Sequence, residues 1–358
     1  MTDPRGLAGS GPVPGRHGGR FLRLFRLLYL VAGVALLVAV LAETDLAEVG
    51  ARLAEVGVWG VLAIVAVYGL AFLCDTASWQ LMLLDVPIRA SWLYRLWKVR
   101  MVGEAFNTVM PAASFGGEPA KAILLKKRHR IPYGDSIVSL VIARTTNLIA
   151  LIGFSLVGFF LMLGAEGLSP AYRTIAAFGM LGLVIDAGGF FAVQRWRLSS
   201  RVGGWLSRRR WGRRLERVLA GIERADVGFV EFYHRRPRRF AGAIALAFAN
   251  WTLGAIEIAA ALYFLGAPVG FAEAWVIETV VQLVRVGTFF VPANLGTIEA
   301  ASVIMVQALT GQPALGLAAA LVRRAREILF VSWGLGLSWL AAFSPAVVVA
   351  EVTRAARD

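Results

Sequence analysis

Apolar residues along this chain fall in blocks of about 20, the length at which an α-helix crosses the hydrocarbon core of a bilayer. The blocks predict an all-α integral membrane protein with about six full transmembrane helices. No clear small-x-small cleavage site closes the first block, so it is interpreted as a retained span. The six predicted spans are residues 24–42, 58–84, 134–163, 171–194, 240–264 and 314–343.

Two further apolar stretches, 92–128 and 271–309, are interrupted near their middle. PAASFGGEPAKA (111–122) and PANLGTIEAASV (292–303) each begin with Pro-Ala and carry a glutamate seven residues after the proline. Proline ends a helix because it removes a backbone donor, and glycine lets the chain reverse. Such breaks are tolerated at membrane depth only where they are buried or line a wet cavity. The pattern predicts two re-entrant helical hairpins.

The two halves of the chain repeat one order of charges. A carboxylate in a span precedes a glutamate at the break and an arginine in the next span, at intervals of 43 and 26 residues and then of 42 and 25. These residues are Asp75, Glu118 and Arg144, and then Glu257, Glu299 and Arg324. The first hairpin has basic flanks and the second has none, so the hairpins are expected to open to opposite sides. The units, about 58–163 and 240–343, therefore form a predicted inverted-topology repeat, a common way to build a midplane site.

The formal net charge of +14 would suggest nucleic acid in a soluble protein, but here the arginines cluster between apolar blocks. That distribution follows the positive-inside rule, so no nucleic-acid partner is predicted. Residues 1–21 are predicted to be a disordered basic N-terminus, and 195–239 a basic cytoplasmic segment of amphipathic helices on the anionic leaflet. Residues 43–57 indicate an interfacial helix on the non-cytoplasmic side. Both termini, including the tail 346–358, are placed in the cytoplasm.

Ionisable residues inside spans cost about 2.5–3.5 kcal/mol each on insertion scales, so each is a candidate for function. A guanidinium fork suits a phosphate, which favours Arg144 and Arg324 as headgroup ligands. The carboxylates have a structural alternative: Asp75 and Glu257 could pair with arginines, and a hairpin glutamate could cap the second arm of its own hairpin. Sequence alone leaves both alternatives open.

Further polar positions extend the candidate substrate-binding set. Asn147 shares a helix face with Arg144, and Arg285 lies on a stripe with Glu278 and Gln282. Lys121 is expected near the cytoplasmic interface, where it either extends toward water or meets a headgroup, and Asn294 lies in the second break. Arg323 and Glu327 are spaced to pair along one helix.

Several chemistries find no support in the sequence. The single Cys74 forms no disulfide framework or cysteine-based metal site, and the three histidines show no ligand spacing. We expect no metal, no cofactor and no catalytic residues.

The motifs NTVMPAASFGGEPAKAILLKK, ARTTN and FVPANLGTIEAASVI resemble the membrane region of the lysylphosphatidylglycerol synthase/flippase family, possibly its hopanoid-associated branch. The resemblance covers about 22–343 and implies a flippase-like membrane domain over 22–345. The second hairpin departs from it, with Ala293 and Asn294 where the family has a double glycine. The full-length family enzymes carry a soluble aminoacyl-transferase domain, and because this chain stops at Asp358 that activity is expected to be absent.

The resemblance implies a flippase or transporter that moves an anionic or amphipathic lipid between leaflets of the cytoplasmic membrane. Membrane lipids are then the partners, and a homo-oligomer is an open possibility. Two alternatives remain: a non-transporting partner subunit of a lipid-modifying enzyme, and an integral-membrane enzyme acting on a lipid headgroup. The latter would need a nucleophile or a metal cluster that the sequence does not show.

Overall fold

The structure is a computed structural model of the chain. The described residues are 34–83, 86–109, 117–164, 236–288 and 291–340, with residue 31 and scattered positions between 174 and 188. The predictions for the N-terminus, the start of the first span, most of the fourth span, nearly all of the basic segment and the tail lie outside these residues.

Helices make up the regular structure of the described residues, which hold no strand. The numbered helices are α1 (Val34–Glu43), α2 (Leu46–Glu55), α3 (Gly57–Met82), α4 (Ala90–Val109), α5 (Gly117–His129), α6 (Tyr133–Gly164), α7 (Pro237–Phe264), α8 (Phe271–Gly287), α9 (Thr297–Thr310) and α10 (Pro313–Leu340), with a 3-10 turn at Pro292–Asn294.

Three of the predicted spans, α3, α6 and α7, are each long and apolar enough to cross a membrane. Their ends lie within a few residues of the predicted ends, because a long apolar run is a strong signal for a spanning helix. Helix α10 has 28 residues, but three arginines and a glutamate interrupt its middle. The apolarity of α10 alone therefore does not mark it as a span.

Helices α3 and α7 form the antiparallel centre of the molecule. Ser78 Oγ, near the end of α3, donates a 2.9 Å hydrogen bond to the carbonyl of Ala243, near the start of α7. At the opposite end Gly60 lies against the ring of Phe264. Around this pair α4 packs against α10 and α8 packs against α6, so the first arm of each hairpin contacts the last helix of the other unit. This is the pairing expected of a two-fold relation between the two halves of the chain.

The two hairpins open toward opposite ends of the molecule. The rings of Trp92 and His129 lie 5.4 Å apart, which joins the outer ends of α4 and α5 at one end. The outer end of the second hairpin lies against α2 at the other end of the molecule. There Arg52 Nη2 of α2 donates a 3.1 Å hydrogen bond to Oε1 of Gln312, just after α9. Helix α2 is capped by Asp45, whose Oδ1 accepts the backbone N–H of Ala47 at 2.9 Å. The helix predicted to be interfacial therefore lies beside the connection between α9 and α10.

The break in the second hairpin is non-helical, as predicted. Ala293 and Asn294 adopt left-handed φ angles of 53° and 48°, and Gly296 follows with φ of 80°. A left-handed conformation is unusual for a residue with a Cβ, so the backbone turns here at some conformational cost. In the first hairpin, residues 110–116 lie outside the described residues, and α5 begins at Gly117.

Candidate functional site

A cavity of about 420 Å³ lies between the two hairpins and the central pair α3 and α7. Fourteen ionisable side chains among the described residues line it, seven acidic and seven basic. The acidic side chains are Asp75, Glu104, Glu118, Glu257, Glu278, Glu299 and Glu327. The basic side chains are Arg100, Lys121, Arg144, Arg285, Arg323, Arg324 and Arg326. The lining is thus formally neutral in a chain whose net charge is +14.

Nine of the ten predicted site residues line this cavity, including Asn147. The exception is Asn294, whose Oδ1 accepts a 2.9 Å hydrogen bond from Thr288 Oγ1 across the second break. Its backbone N–H donates to the Val291 carbonyl at 3.0 Å. The role that the geometry gives to Asn294 is to hold the turn between α8 and α9.

Asp75 of α3 forms an ion pair with Arg100 of α4. Asn147 Nδ2 approaches the other carboxylate oxygen of Asp75 at 3.4 Å, so three helices meet at this carboxylate. The guanidinium of Arg100 also lies 5.0 Å from the ring centroid of Phe72, a cation–π distance. Asp75 therefore has the arginine partner that the structural interpretation of its sequence position proposed.

Glu104, Lys121, Glu118 and Arg144 form a chain of contacts around the first hairpin. Lys121 Nζ lies 2.9 Å from Glu104 Oε1 and 3.3 Å from Glu118 Oε1. Arg144 Nη2 reaches that same oxygen of Glu118 at 3.4 Å. Of the two alternatives for Lys121, extension toward water is wrong: only 5% of the residue is exposed, because two carboxylates hold its ammonium inside.

Glu278 of α8 accepts two hydrogen bonds from Arg323 of α10, of 2.7 and 3.1 Å, in the bidentate arrangement that a guanidinium favours. Gln282 Nε2 also donates to Glu278, at 2.5 Å, so the predicted polar stripe on α8 is internally bonded. The predicted pair between Arg323 and Glu327 does not form. A buried carboxylate on a neighbouring helix replaces it, because that contact satisfies two charges that would otherwise be unpaired in the interior.

Glu257 of α7 pairs with Arg326 of α10, whose Nε and Nη2 both approach Oε1, at 3.0 and 2.7 Å. The Arg326 guanidinium lies 3.6 Å from the ring centroid of Tyr68. Glu257 is 2% exposed, and Arg323 Nε contributes a second, longer contact of 3.8 Å. Helix α10 therefore carries charges in its middle because each meets a partner on another helix or within α10 itself.

Glu299 caps its own helix and also pairs with Arg324. Its Oε2 accepts the backbone N–H of Gly296 at 2.8 Å, and its Oε1 accepts from Arg324 Nη2 at 2.6 Å. Arg324 additionally contacts Glu327 at 3.0 Å and the Ala293 carbonyl at 3.2 Å. The second break, the start of α9 and helix α10 are joined through this one guanidinium.

Two of the seven cations are held weakly or not at all. The Arg144 side chain is 61% exposed, and among the described residues it contacts one carboxylate, at 3.4 Å, through an oxygen shared with Lys121. Arg285 is an exposed side chain at the last turn of α8, and no ion pair or hydrogen bond joins its guanidinium to another described residue. Every carboxylate that lines the cavity, by contrast, lies within 4.0 Å of a cation.

Several lining residues were not selected from the sequence, namely Arg100, Glu104, Arg326 and Tyr68. A signal for two of them was present. Arg100 and Glu104 are four residues apart on the first arm of the first hairpin, and Glu104 precedes Pro111 by seven residues, as Arg285 precedes Pro292. Extending the repeat comparison to the first arms would have found them.

The fold and this cavity define an integral membrane protein with a charged, formally neutral cavity between two oppositely directed helical hairpins. The family model described as the lysylphosphatidylglycerol synthase TM region matches residues 13–334, and the chain belongs to that family. The resemblance drawn from the hairpin motifs is thereby confirmed. Searches of characterised proteins and of solved structures returned no match.

Proposed function

We propose that this protein is a flippase that moves an anionic or amphipathic lipid between the leaflets of the cytoplasmic membrane. The lipid headgroup would enter the cavity while the acyl chains stay in the bilayer. The observation that carries the proposal is the cavity itself, which contacts both hairpins although these open toward opposite ends. Membership in a family whose name refers to a phospholipid supports a lipid as the substrate.

The proposal includes a membrane arrangement of six spans and two re-entrant hairpins, with both termini cytoplasmic. The end at which the first hairpin opens carries a cluster of basic residues, including Lys126, Lys127 and Arg128. The opposite end carries Glu48 on α2 and Glu273 on α8. Basic residues concentrate on the cytoplasmic side of inner-membrane proteins, which supports this orientation.

Transport rather than headgroup chemistry is proposed because the charged groups of the cavity pair with one another. A general acid or base needs a free position beside the reacting atom. Six of the seven cations lie within salt-bridge distance of carboxylates instead. A set of paired charges can solvate a polar headgroup at membrane depth without leaving an isolated charge there.

A liposome assay tests the proposal. The purified protein is reconstituted with phosphatidylglycerol labelled on an acyl chain, and a membrane-impermeant reductant measures how much label reaches the outer leaflet. We expect reduction beyond the outer-leaflet half in proteoliposomes and none beyond it in protein-free liposomes.

A pair of variants on α4 links transport to the cavity. Thr108 is an exposed residue that lines the cavity, so Thr108→Trp should obstruct it and slow lipid movement. Ser91 is exposed on the same helix but does not line the cavity, and Ser91→Trp is the matched control. Equal rates in Thr108→Trp and Ser91→Trp would contradict a route through this cavity.

A further inference from the structure

The ion pairs of the cavity separate its arginines into two kinds. Arg100, Arg323, Arg324 and Arg326 lie within 3.0 Å of a carboxylate oxygen. Arg144 and Arg285 do not, and both side chains are exposed. An exposed guanidinium that the described residues contact loosely or not at all keeps most of its planar fork of donors available to a phosphate. The ligand chemistry that fits these two positions is a phosphate ester.

The helix geometry shows how far apart the two exposed arginines lie. Thr279 of α8 fits against Gly158 of α6, so these residues mark one level of the molecule. Both arginines lie on the side of this level where the first hairpin opens. Arg285 is six residues after Thr279 on α8, and Arg144 is fourteen residues before Gly158 on α6. At a rise of about 1.5 Å per residue, these offsets are about 9 and 21 Å. The Cα atoms of the two arginines therefore differ in depth by about 12 Å, so the two side chains start from different levels of the cavity.

We propose that Arg144 and Arg285 are two successive binding positions for the phosphate of a lipid headgroup along the transport route. Arg144 is the position nearer the end at which the first hairpin opens, and Arg285 is the deeper position beside the second break. Arg324, although it occupies the place in the second repeat that Arg144 has in the first, is not a binding position. Glu299, Glu327 and the Ala293 carbonyl already engage its donors.

This inference rests on the proposed function for the order of binding, but the two positions can be tested by binding alone. The purified protein in detergent is titrated with dihexanoyl phosphatidylglycerol, with dihexanoyl glycerol, which has the same chains and no phosphate, and with glycerol phosphate, which has no chains. We expect calorimetry to detect the first ligand far more strongly than the other two. Equal binding of glycerol phosphate would show a soluble phosphate ester as the ligand and overturn the lipid assignment.

The variants compared are Arg144→Gln, Arg285→Gln and Arg89→Gln, the last being an exposed arginine outside the cavity. Loss of hydrogen bonds to a charged phosphate should weaken binding of the short-chain lipid about tenfold in each cavity variant. The Arg89→Gln protein should bind like the wild type. Neither cavity variant leaves a carboxylate without a partner, because Lys121 still contacts Glu118. Their melting temperatures should accordingly stay close to that of the wild type.

Arg285→Lys provides a second measurement that a loss of folding could not imitate. A lysine keeps the charge but not the fork, so affinity should fall between those of the wild type and Arg285→Gln. Unchanged phosphatidylglycerol affinity in Arg285→Gln, or absence of phosphate-dependent binding in the wild type, would overturn the two positions. Arginine-dependent binding without any movement of labelled lipid in liposomes would instead refute the transport function and leave the binding positions standing.

Discussion

The carboxylate of Glu299 accepts two hydrogen bonds from the guanidinium of Arg324, of 2.6 and 3.0 Å, although 25 residues separate them in the chain. The equivalent residues of the first repeat, Glu118 and Arg144, also meet, but at 3.4 Å. The same pair thus recurs in both halves, tight and buried beside the second hairpin and loose and exposed beside the first. The Glu299–Arg324 pair is therefore expected to hold the fold, and the Glu118–Arg144 pair is the one that we propose opens to a ligand.

The Glu299–Arg324 pair is predicted to stabilise the fold. Arg324→Ala should lower the free energy of unfolding by about 3–5 kcal/mol, because it removes the cation that pairs with Glu299, whose side chain is only 4% exposed. Adding Glu299→Gln should recover much of that loss, and thermal unfolding in detergent measures both. Arg144→Ala is the control and should cost less than about 1 kcal/mol. Equal destabilisation by Arg324→Ala and Arg144→Ala would show that the two pairs do not differ as described.

The left-handed turn of the second break predicts a stabilising substitution. Ala293 is exposed and has φ of 53°, so Ala293→Gly removes a conformational cost of about 1–2 kcal/mol. The greater entropy of glycine in the unfolded chain offsets part of this gain. We expect a higher melting temperature for Ala293→Gly. Ala308→Gly within α9 should instead lower the melting temperature, because glycine costs about 1 kcal/mol relative to alanine in a helix. A lower melting temperature in Ala293→Gly would contradict the turn geometry.

Helix α10 packs closely against α4 at one glycine, and this contact predicts different effects of alanine at two nearby positions. A Cβ on Gly334 would overlap the backbone of Met101 and lie 2.8 Å from the Cβ of Ala105, whereas one on Gly336 would meet nothing within 4 Å. Gly334→Ala should destabilise the protein by about 1–3 kcal/mol. Gly336→Ala should leave its stability unchanged or raise it, since alanine favours the helix. Chemical denaturation of the two variants side by side tests this contact.

Opposite orientation of the hairpins predicts labelling from opposite sides of the membrane. In a Cys74→Ala background, single cysteines replace Arg89, beside the start of α4, and Ala272, at the start of α8. Both positions are exposed. A membrane-impermeant maleimide should reach the cysteine at 89 from the cytoplasmic side and the one at 272 from the other side. Access to both from one side would refute the inverted arrangement of the two hairpins.

The sequence by itself determined the helices and the second break. Apolar runs predicted α3, α6 and α7 to within a few residues, because burial in hydrocarbon requires a long uninterrupted run. Pro292 and Gly296 marked the break, because one removes a backbone donor and the other accepts a φ of 80°. The hairpin motifs were also sufficient to identify the family.

Only the tertiary structure decided which charges pair. Helical spacing predicts neighbours along one helix, and it indicated Glu327 as a possible partner for Arg323. Its partner is Glu278, 45 residues earlier on another helix. Likewise the sequence ranked Arg144 and Arg324 as equivalent, and it could not show that Glu299 engages Arg324 while no described residue pairs with Arg285. Whether an arginine is available to a ligand depends on its distance to carboxylates on other helices. Helix packing sets that distance, and the spacing of residues along the chain does not predict it.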